Sequence, residues 1–371
     1  MALRAFCISL AGIAALGTAM ADAPIVSPEI HPDHTVTLRF RAPDAKEVWC
    51  GVAGISSAKM TKDSAGTWSY TTPPLEPDIY DYTFDVDGAS VLDPNNPLTR
   101  PSLLWRSNLL LVPGTPPREW EVQDVPHGTL HHHFYKSAAI GDRRDYYVYT
   151  PPEYRPNSRA KYPVLYLLHG YGGDAQQWSA EEMANVIMDN LLAKGKVKPM
   201  LVVMTLGYGI SNFASTNGPD IFNQDIVQQN YDNYMKTLLN EVIPAVQSDY
   251  RASSNPADRA IAGLSMGGSE SLYVGLKNPA TFSHIGAFSA GGVPHSYDRS
   301  FPGLNANTVN RRLKQLWIAC GTEDGFIKVN RETVQWLKDK KVRLTQIETP
   351  GRHSSMVWRR NLISFAPLLF R

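Results

Sequence analysis

Gly263-Leu264-Ser265-Met266-Gly267 sets one hydroxyl between two glycines, at the point where an apolar run ending at Leu264 gives way to a helical pattern. A serine at the tip of such a sharp turn leaves no room for side chains two residues before or two after it. The helix that follows aims free N–H groups and the positive end of its dipole at any negative charge developing nearby. A hydroxyl so placed suits attack on an acyl carbon, provided that a base and an acid are supplied from elsewhere in the chain.

Candidates for both follow downstream, each just past a strand-like run. LWIACGTEDGF puts Glu323 and Asp324 after one run, and LTQIETPGRHSS puts His353 after the next. Of ten histidines, His353 alone follows the last predicted strand, which makes it the candidate to take the Ser265 proton and return it to a leaving alcohol. Asp324 is the preferred acid, fixing the imidazole tautomer and balancing the imidazolium, with Glu323 as its rival.

A tetrahedral oxyanion needs two N–H donors. Met266, next after the nucleophile, is expected to supply one, and Tyr171 in the loop LLHGYGGDAQQW the other, with His169 supporting that loop. The histidines of HGTLHHHFYKS (His127, His131, His132, His133) have no cysteine or carboxylate at ligand spacing, and alternation along a strand accounts for them better than a metal site. No metal and no cofactor are expected.

The elements that must position these groups have two different rhythms. From about Val36 to Val112, short β-type runs such as TVTLRFRAP, EVWCGVAG and YDYTFDVDG alternate with turn residues, the pattern of an all-β sandwich. From Asp145 onward, continuous apolar runs (PVLYLLHG, MLVVMTLG) alternate with helical patterns, the βαβ grammar of a parallel sheet covered on both faces. VPGTPPREWEVQDVPHG between them reads as a stiff Pro-rich linker. The expected division is therefore 1–21 a leader, 22–113 the sandwich with a core of its own and no chemistry, 114–126 the linker and 127–371 the α/β part.

With 371 residues, 43% hydrophobic, 19% charged and a formal charge of +1, the chain lacks the basic excess that holds nucleic acid or an acidic membrane. Its start, MALRAFCISLAGIAALGTAMADAP, reads as a cleavable signal peptide ending at Ala19-Met20-Ala21. A secreted or periplasmic protein is expected, with no membrane partner after cleavage. Cys7 would leave with the leader; Cys50 and Cys320 are too few for a disulfide framework, and Cys320 in LWIACG reads as an inert buried thiol.

Five segments together resemble the esterase D-like carbohydrate esterases, which include bacterial feruloyl esterases and acetylxylan esterases. They are RRDYYVYTPPEY, YPVLYLLHGYGGDAQQW, AGLSMGGSESLYVGLKNPATF, ACGTEDGF and GRHSSMVWRRNL, spread over most of residues 125–371. The resemblance implies an α/β hydrolase with Ser265 as nucleophile, Asp324 as acid, His353 as base, and Tyr171 with Met266 at the oxyanion hole. The sandwich looks like the early-set, immunoglobulin-like modules related to glycogen-binding domains, where Trp49 and Trp68 either stack on sugar or pack a core.

The expected activity is release of feruloyl groups from plant cell-wall polysaccharide or oligosaccharide by a serine esterase. Acetylxylan deacetylation, siderophore hydrolysis and an inactive sugar-binding protein are the alternatives. Trp178, Tyr208, Phe213 and Trp358 fall on loops at the carboxyl ends of strands, where they either stack on a phenolic acyl group or pack beneath the loops.

Overall fold

The computed structural model describes residues 24–371, so the expected signal peptide lies outside the described residues. In the N-terminal lobe, strands Glu29–Ile30, Val36–Arg41, Thr67–Thr71 and Thr61–Lys62 form one antiparallel sheet. A second contains Ala58–Lys59, Val48–Val52, Ile79–Val86 and Ala89–Val91, with Asn108–Leu111 also paired to Ile79–Val86. The period-2 alternation of IYDYTFDV explains how the sheets meet: Tyr80, Tyr82 and Phe84 turn inward while Asp81, Thr83 and Asp85 turn out. They join Val36, Leu38, Cys50 and Trp68 in one core shared by both sheets.

The C-terminal lobe is built on eight strands: β1 (Thr129–Lys136), β2 (Arg143–Thr150), β3 (Val164–Leu168), β4 (Leu201–Thr205), β5 (Arg259–Leu264), β6 (His284–Phe288), β7 (Gln315–Gly321) and β8 (Thr345–Thr349). Their spatial order is β1-β2-β4-β3-β5-β6-β7-β8. β1 and β2 form an antiparallel pair, β2 meets β4 antiparallel, and every pairing from β4–β3 to β7–β8 is parallel. β3 to β6 are buried along their whole length, as continuous apolar runs require.

Helices cover both faces: α1 (Ala184–Ala193), α2 (Gln224–Thr237), α3 (Ile243–Asp249), α4 (Met266–Lys277), α5 (Tyr297–Ser300), α6 (Ala306–Arg312), α7 (Ile327–Asp339) and α8 (Ser355–Phe365). Apolar residues of α2, α3, α4, α6 and α7 close one face, and those of α1 and α8 the other. The stretch read as one helix, DIVQQNYDNYMKTLLNEVIPAV, is interrupted by a π-helical turn at Leu238–Val242 before α3. Pro244 in the first turn of α3 has no N–H to continue the ladder, and the wider turn absorbs the mismatch. No helix among the described residues is long and apolar enough to cross a membrane.

The Pro-rich segment does not behave as a spacer. Trp120 is buried in the core formed with α1 and α8, and Asn190 of α1 donates to the carbonyls of Glu119 (2.8 Å) and Glu121 (2.9 Å). Glu121 Oε1 accepts from the N–H groups of Gly114 and Arg118, both at 2.9 Å. Proline content stiffens the backbone here, but the buried tryptophan glues it to the C-terminal lobe. The same core takes in Ile79 and Leu109 of the N-terminal lobe.

Candidate active site

β5 ends at Leu264, and Ser265 follows in a strained conformation with φ 52° and ψ −116°, after which α4 begins at once. A non-glycine residue held at positive φ costs free energy that the surrounding packing must supply. The flanking glycines show how tight that packing is. A Cβ on Gly263 would lie 2.5 Å from the Gly267 carbonyl group, and one on Gly267 would lie 2.5 Å from the carbonyl oxygens of Leu168 and His169. Backbone fills the space where either side chain would stand.

Ser265 Oγ lies 2.9 Å from His353 Nε2, and His353 Nδ1 lies 2.9 and 3.1 Å from the two Asp324 carboxylate oxygens. A carboxylate only accepts, so Nδ1 carries the proton and Nε2 of the neutral ring is free to accept from the serine. Burial alone would raise the Asp324 carboxyl, but hydrogen bonds from His353 and the Phe326 N–H (2.8 Å) outweigh it and hold the group below its ordinary value. Glu323, the rival acid, turns away to solvent and lies 3.9 Å from Arg352. The three groups come from loops after β5, β7 and β8, all at the carboxyl edge of the sheet.

Tyr171 follows Gly170 on the loop after β3, and Met266 follows the serine at the start of α4. Among the described residues, the backbone N–H of neither donates to another backbone or side-chain acceptor. Gly170 packs directly against the nucleophile, since a Cβ there would come within 3.3 Å of the Ser265 Cβ. His169 braces this loop: Nδ1 donates to the Gly170 carbonyl (2.7 Å) and Nε2 accepts from the Gly207 N–H (2.8 Å). Complete burial pushes its pKa down to about 4, so the ring stays neutral and both bonds hold.

The four aromatic residues expected around the mouth are only 1–5% exposed, and of these Trp358 borders the cleft described below. Trp178 donates from Nε1 to the Leu168 carbonyl (2.8 Å) and packs on Phe288, so it holds the underside of the sheet edge. Tyr208 donates to the Gly173 carbonyl and accepts from the Gly172 N–H, both at 2.9 Å, fastening the loop from below. Phe213 packs against Tyr171 and Tyr208. Trp358 stands edge-on to the His353 ring, 4.9 Å between centroids. These rings are packing residues because the loops fold back over them, so the open positions fall to others.

Those others are Phe326, Tyr171 and Trp105. Phe326 meets the His353 ring at 5.0 Å and is partly exposed; its sequence signal was its place two residues after Asp324. Trp105, 56% exposed, comes from the N-terminal lobe and meets Tyr171 at 6.1 Å. A cleft of ≈ 770 Å³ along the lobe boundary is lined by Ile55, Asp81 and Arg100 on one side and by His353, Arg352 and Trp358 on the other. A second hollow of ≈ 620 Å³ shares Asp81 and Arg100 and continues to Trp105. The histidines of β1 take separate partners: His131 Thr150, His132 Asp145, and His133 Tyr250.

The arrangement can transfer a proton from a hydroxyl to an imidazole whose other nitrogen is held by a buried carboxylate. The sequence model of the family described as "Putative esterase" matches residues 137–367. Over 355 residues the chain is 30% identical to an endo-1,4-beta-xylanase/feruloyl esterase of Xylanibacter ruminicola, covering 93% of this chain and 46% of that protein, so it spans less than half of that relative's length. An acetyl esterase of Caldicellulosiruptor saccharolyticus is 24% identical over 229 residues, 53% of this chain and 79% of that protein.

Among solved structures, a ferulic acid esterase of Anaeromyces mucronatus in complex with ferulic acid matches with a TM-score of 0.58 at 23% identity, over 67% of this chain and 93% of that one. The enterobactin esterase of Shigella flexneri matches with a TM-score of 0.65 at 18% identity, over 90% of this chain and 92% of that one. At these identities the structural likeness speaks for the α/β-hydrolase-like fold alone. The family match covers most of the lobe that holds Ser265, and on it the chain belongs to the family described as "Putative esterase".

Proposed function

We propose that this chain is an exported serine esterase that releases feruloyl groups from plant cell-wall polysaccharide. The observation that carries the chemistry is the unbroken hydrogen-bonded series Ser265–His353–Asp324, with the N–H groups of Tyr171 and Met266 as the oxyanion donors of this reading. Ser265 Oγ attacks the acyl carbon as its proton passes to His353 Nε2, and the carbonyl oxygen takes up negative charge against the two N–H groups. The tetrahedral intermediate then collapses, breaking the bond from the acyl carbon to the sugar oxygen while the imidazolium protonates that oxygen, so the sugar leaves as an alcohol. Water, deprotonated by the same nitrogen, hydrolyses the acyl-enzyme and frees Ser265. Asp324 keeps the ring in the required tautomer throughout.

The substrate class is supported by the 30% identity, over 93% of this chain, to a relative named as a xylanase/feruloyl esterase. Phe326, Tyr171 and Trp105 supply the exposed aromatic surface that a planar phenolic ring would contact. In this reading residues 22–113 are an immunoglobulin-like, early-set module of carbohydrate-binding type, joined through 114–126 to a hydrolase from 127. Trp49 is its exposed candidate for sugar stacking, since Trp68 is spent in the core with Nε1 bonded to the Ala42 carbonyl. Export rests on the leader read at residues 1–21, and a mature N-terminus at Asp22 in an extracytoplasmic fraction is its test.

If the acyl group is feruloyl, kcat/KM for methyl ferulate exceeds that for methyl acetate by about tenfold or more, roughly 1.4 kcal/mol of transition-state binding. Equal efficiency rejects the feruloyl reading in favour of acetyl removal. A second reading, a siderophore esterase, is favoured by one observation: the enterobactin esterase aligns over 90% of this chain, both lobes included. Faster hydrolysis of enterobactin than of methyl ferulate would select it.

A further inference from the structure

The loop between the strands Ala89–Val91 and Asn108–Leu111 leaves the N-terminal lobe and ends on the Tyr171 loop. The Gly172 carbonyl accepts from the Leu103 N–H at 2.8 Å and from the Ser102 hydroxyl at 3.0 Å. Ser102 Oγ in turn accepts from the N–H groups of Trp105 (3.0 Å) and Leu104 (3.3 Å), which folds this short segment into a tight cup. The Trp105 ring lies over Gly172, where a Cβ would come within 2.6 Å of Cζ3. Gly172 sits at φ +84°, a conformation that leaves it to glycine.

The loop is not a loose flap. Its root is a buried polar network in which Asn108 Nδ2 donates to the Asn96 carbonyl (2.9 Å) and Asn108 Oδ1 accepts from the Asp93 N–H (2.7 Å). Asp93 also accepts from Ser27 (2.5 Å) and Tyr82 (2.9 Å), and Arg100 further along the loop bonds Glu181 of the C-terminal lobe at 3.0 Å. Fully satisfied buried networks of this kind fix one conformation. A rigid arm is thereby presented to Gly172 from above, while Tyr208 holds the Gly172 N–H from below. Upstream, Gly170 is held through its N–H by Gln177 (3.1 Å) and through its carbonyl by His169. Tyr171 therefore sits between two pinned residues, one of them pinned by the other lobe.

We propose that Ser102 and Trp105 of the N-terminal lobe are positioning residues for the Tyr171 N–H, so that the oxyanion-binding site is completed by both lobes. The inference rests on the serine-esterase reading given above and deepens it. Stabilisation of a developing oxyanion depends on donors fixed in advance at the right distance. Loosening Gly172 lets the Tyr171 peptide drift, which weakens transition-state binding while leaving the bound ground state little changed.

The test uses the full chain with 4-nitrophenyl acetate as substrate and phenylboronic acid as inhibitor, since its tetrahedral serine adduct sets an oxygen where the oxyanion forms. Ser102→Ala and Trp105→Ala are expected to lower kcat about tenfold with KM within about twofold, and to weaken phenylboronic acid inhibition by a similar factor. Ser102→Thr, which keeps the hydroxyl, recovers most of the loss, and the pH midpoint of kcat stays in place. Unchanged kcat in both alanine variants of an active enzyme overturns the proposal alone. A kcat loss that Thr does not recover, with inhibition unaffected, also overturns it by assigning the loss to general structure. A wild-type chain inert to every ester removes the serine-esterase reading and the proposal together.

Discussion

Arg359 of α8 donates from Nη2 to Asp78 of the N-terminal lobe at 2.6 Å, with both side chains sealed from solvent. The same nitrogen reaches the Ile79 carbonyl at 2.8 Å, and Nη1 reaches the Glu181 carbonyl at 3.2 Å. Removing one partner of such a pair leaves the other charged and buried, which costs more than the pair itself contributes. Asp78→Ala is expected to lower unfolding free energy by about 3 kcal/mol, measured by chemical denaturation. A change below about 1 kcal/mol would mean that this ion pair contributes little to holding the lobes together.

Ser265→Ala should leave a folded chain whose ester hydrolysis falls by several orders of magnitude, because the triad acts as one unit. Near-normal turnover in the purified variant would sink the nucleophile assignment.

For the acid, Asp324→Asn keeps the shape but cannot hold His353 in the productive tautomer, and kcat should fall on the order of 10⁴-fold. Glu323→Gln, at a solvent-exposed side chain, should stay within about twofold. The reverse outcome moves the acid by one residue.

His284 on β6 gives a pH dependence with a defined sign. Burial, assisted by the Lys314 charge, pushes its pKa down to about 4 from 6.5, so the unfolded chain binds a proton that the folded chain refuses between these values. Stability contributed by the neutral ring is therefore present above pH 6.5 and lost as pH falls toward 4, up to roughly 3 kcal/mol. Buried carboxyls such as Glu270, raised by desolvation, titrate with the opposite sign, so the wild-type curve alone mixes both. The difference between wild type and His284→Gln isolates the histidine, and a difference that does not change with pH would refute the assignment.

Cys50 and Cys320 are both buried, and burial first, then the nearby charges of Asp93 and Asp324, pushes each thiol up to about 12. Neither should react with Ellman's reagent in the native protein, and both should after denaturation. Fast native labelling would show that the strands open.

What sequence could reveal here depended on whether the signal was local. The elbow around Ser265 was legible because strand, glycines and helix lie within a few residues of one another. The βαβ alternation was legible because burial on both faces writes a continuous apolar run. Trp178 was left open between stacking and packing because an aromatic residue on a loop carries no sign of direction, and the loop turned it under the sheet. Trp105 and Gly172 are far apart in sequence, and nothing near either residue announces the other. The stretch around Trp120 was read from its prolines, although its single large apolar residue decided where it went.

The glycine contacts have a consequence for how this chain can diverge. Gly263 and Gly267 are hemmed in by backbone, whereas a Cβ added at Gly325, next to Asp324, meets nothing within 4 Å. Random libraries should therefore return only glycine at 263 and 267 among active clones, while 325 accepts many residues. Lineages descending from this enzyme are free to reshape the rim beside the acid, and so to change what the cleft accepts, with the nucleophile's own surroundings frozen.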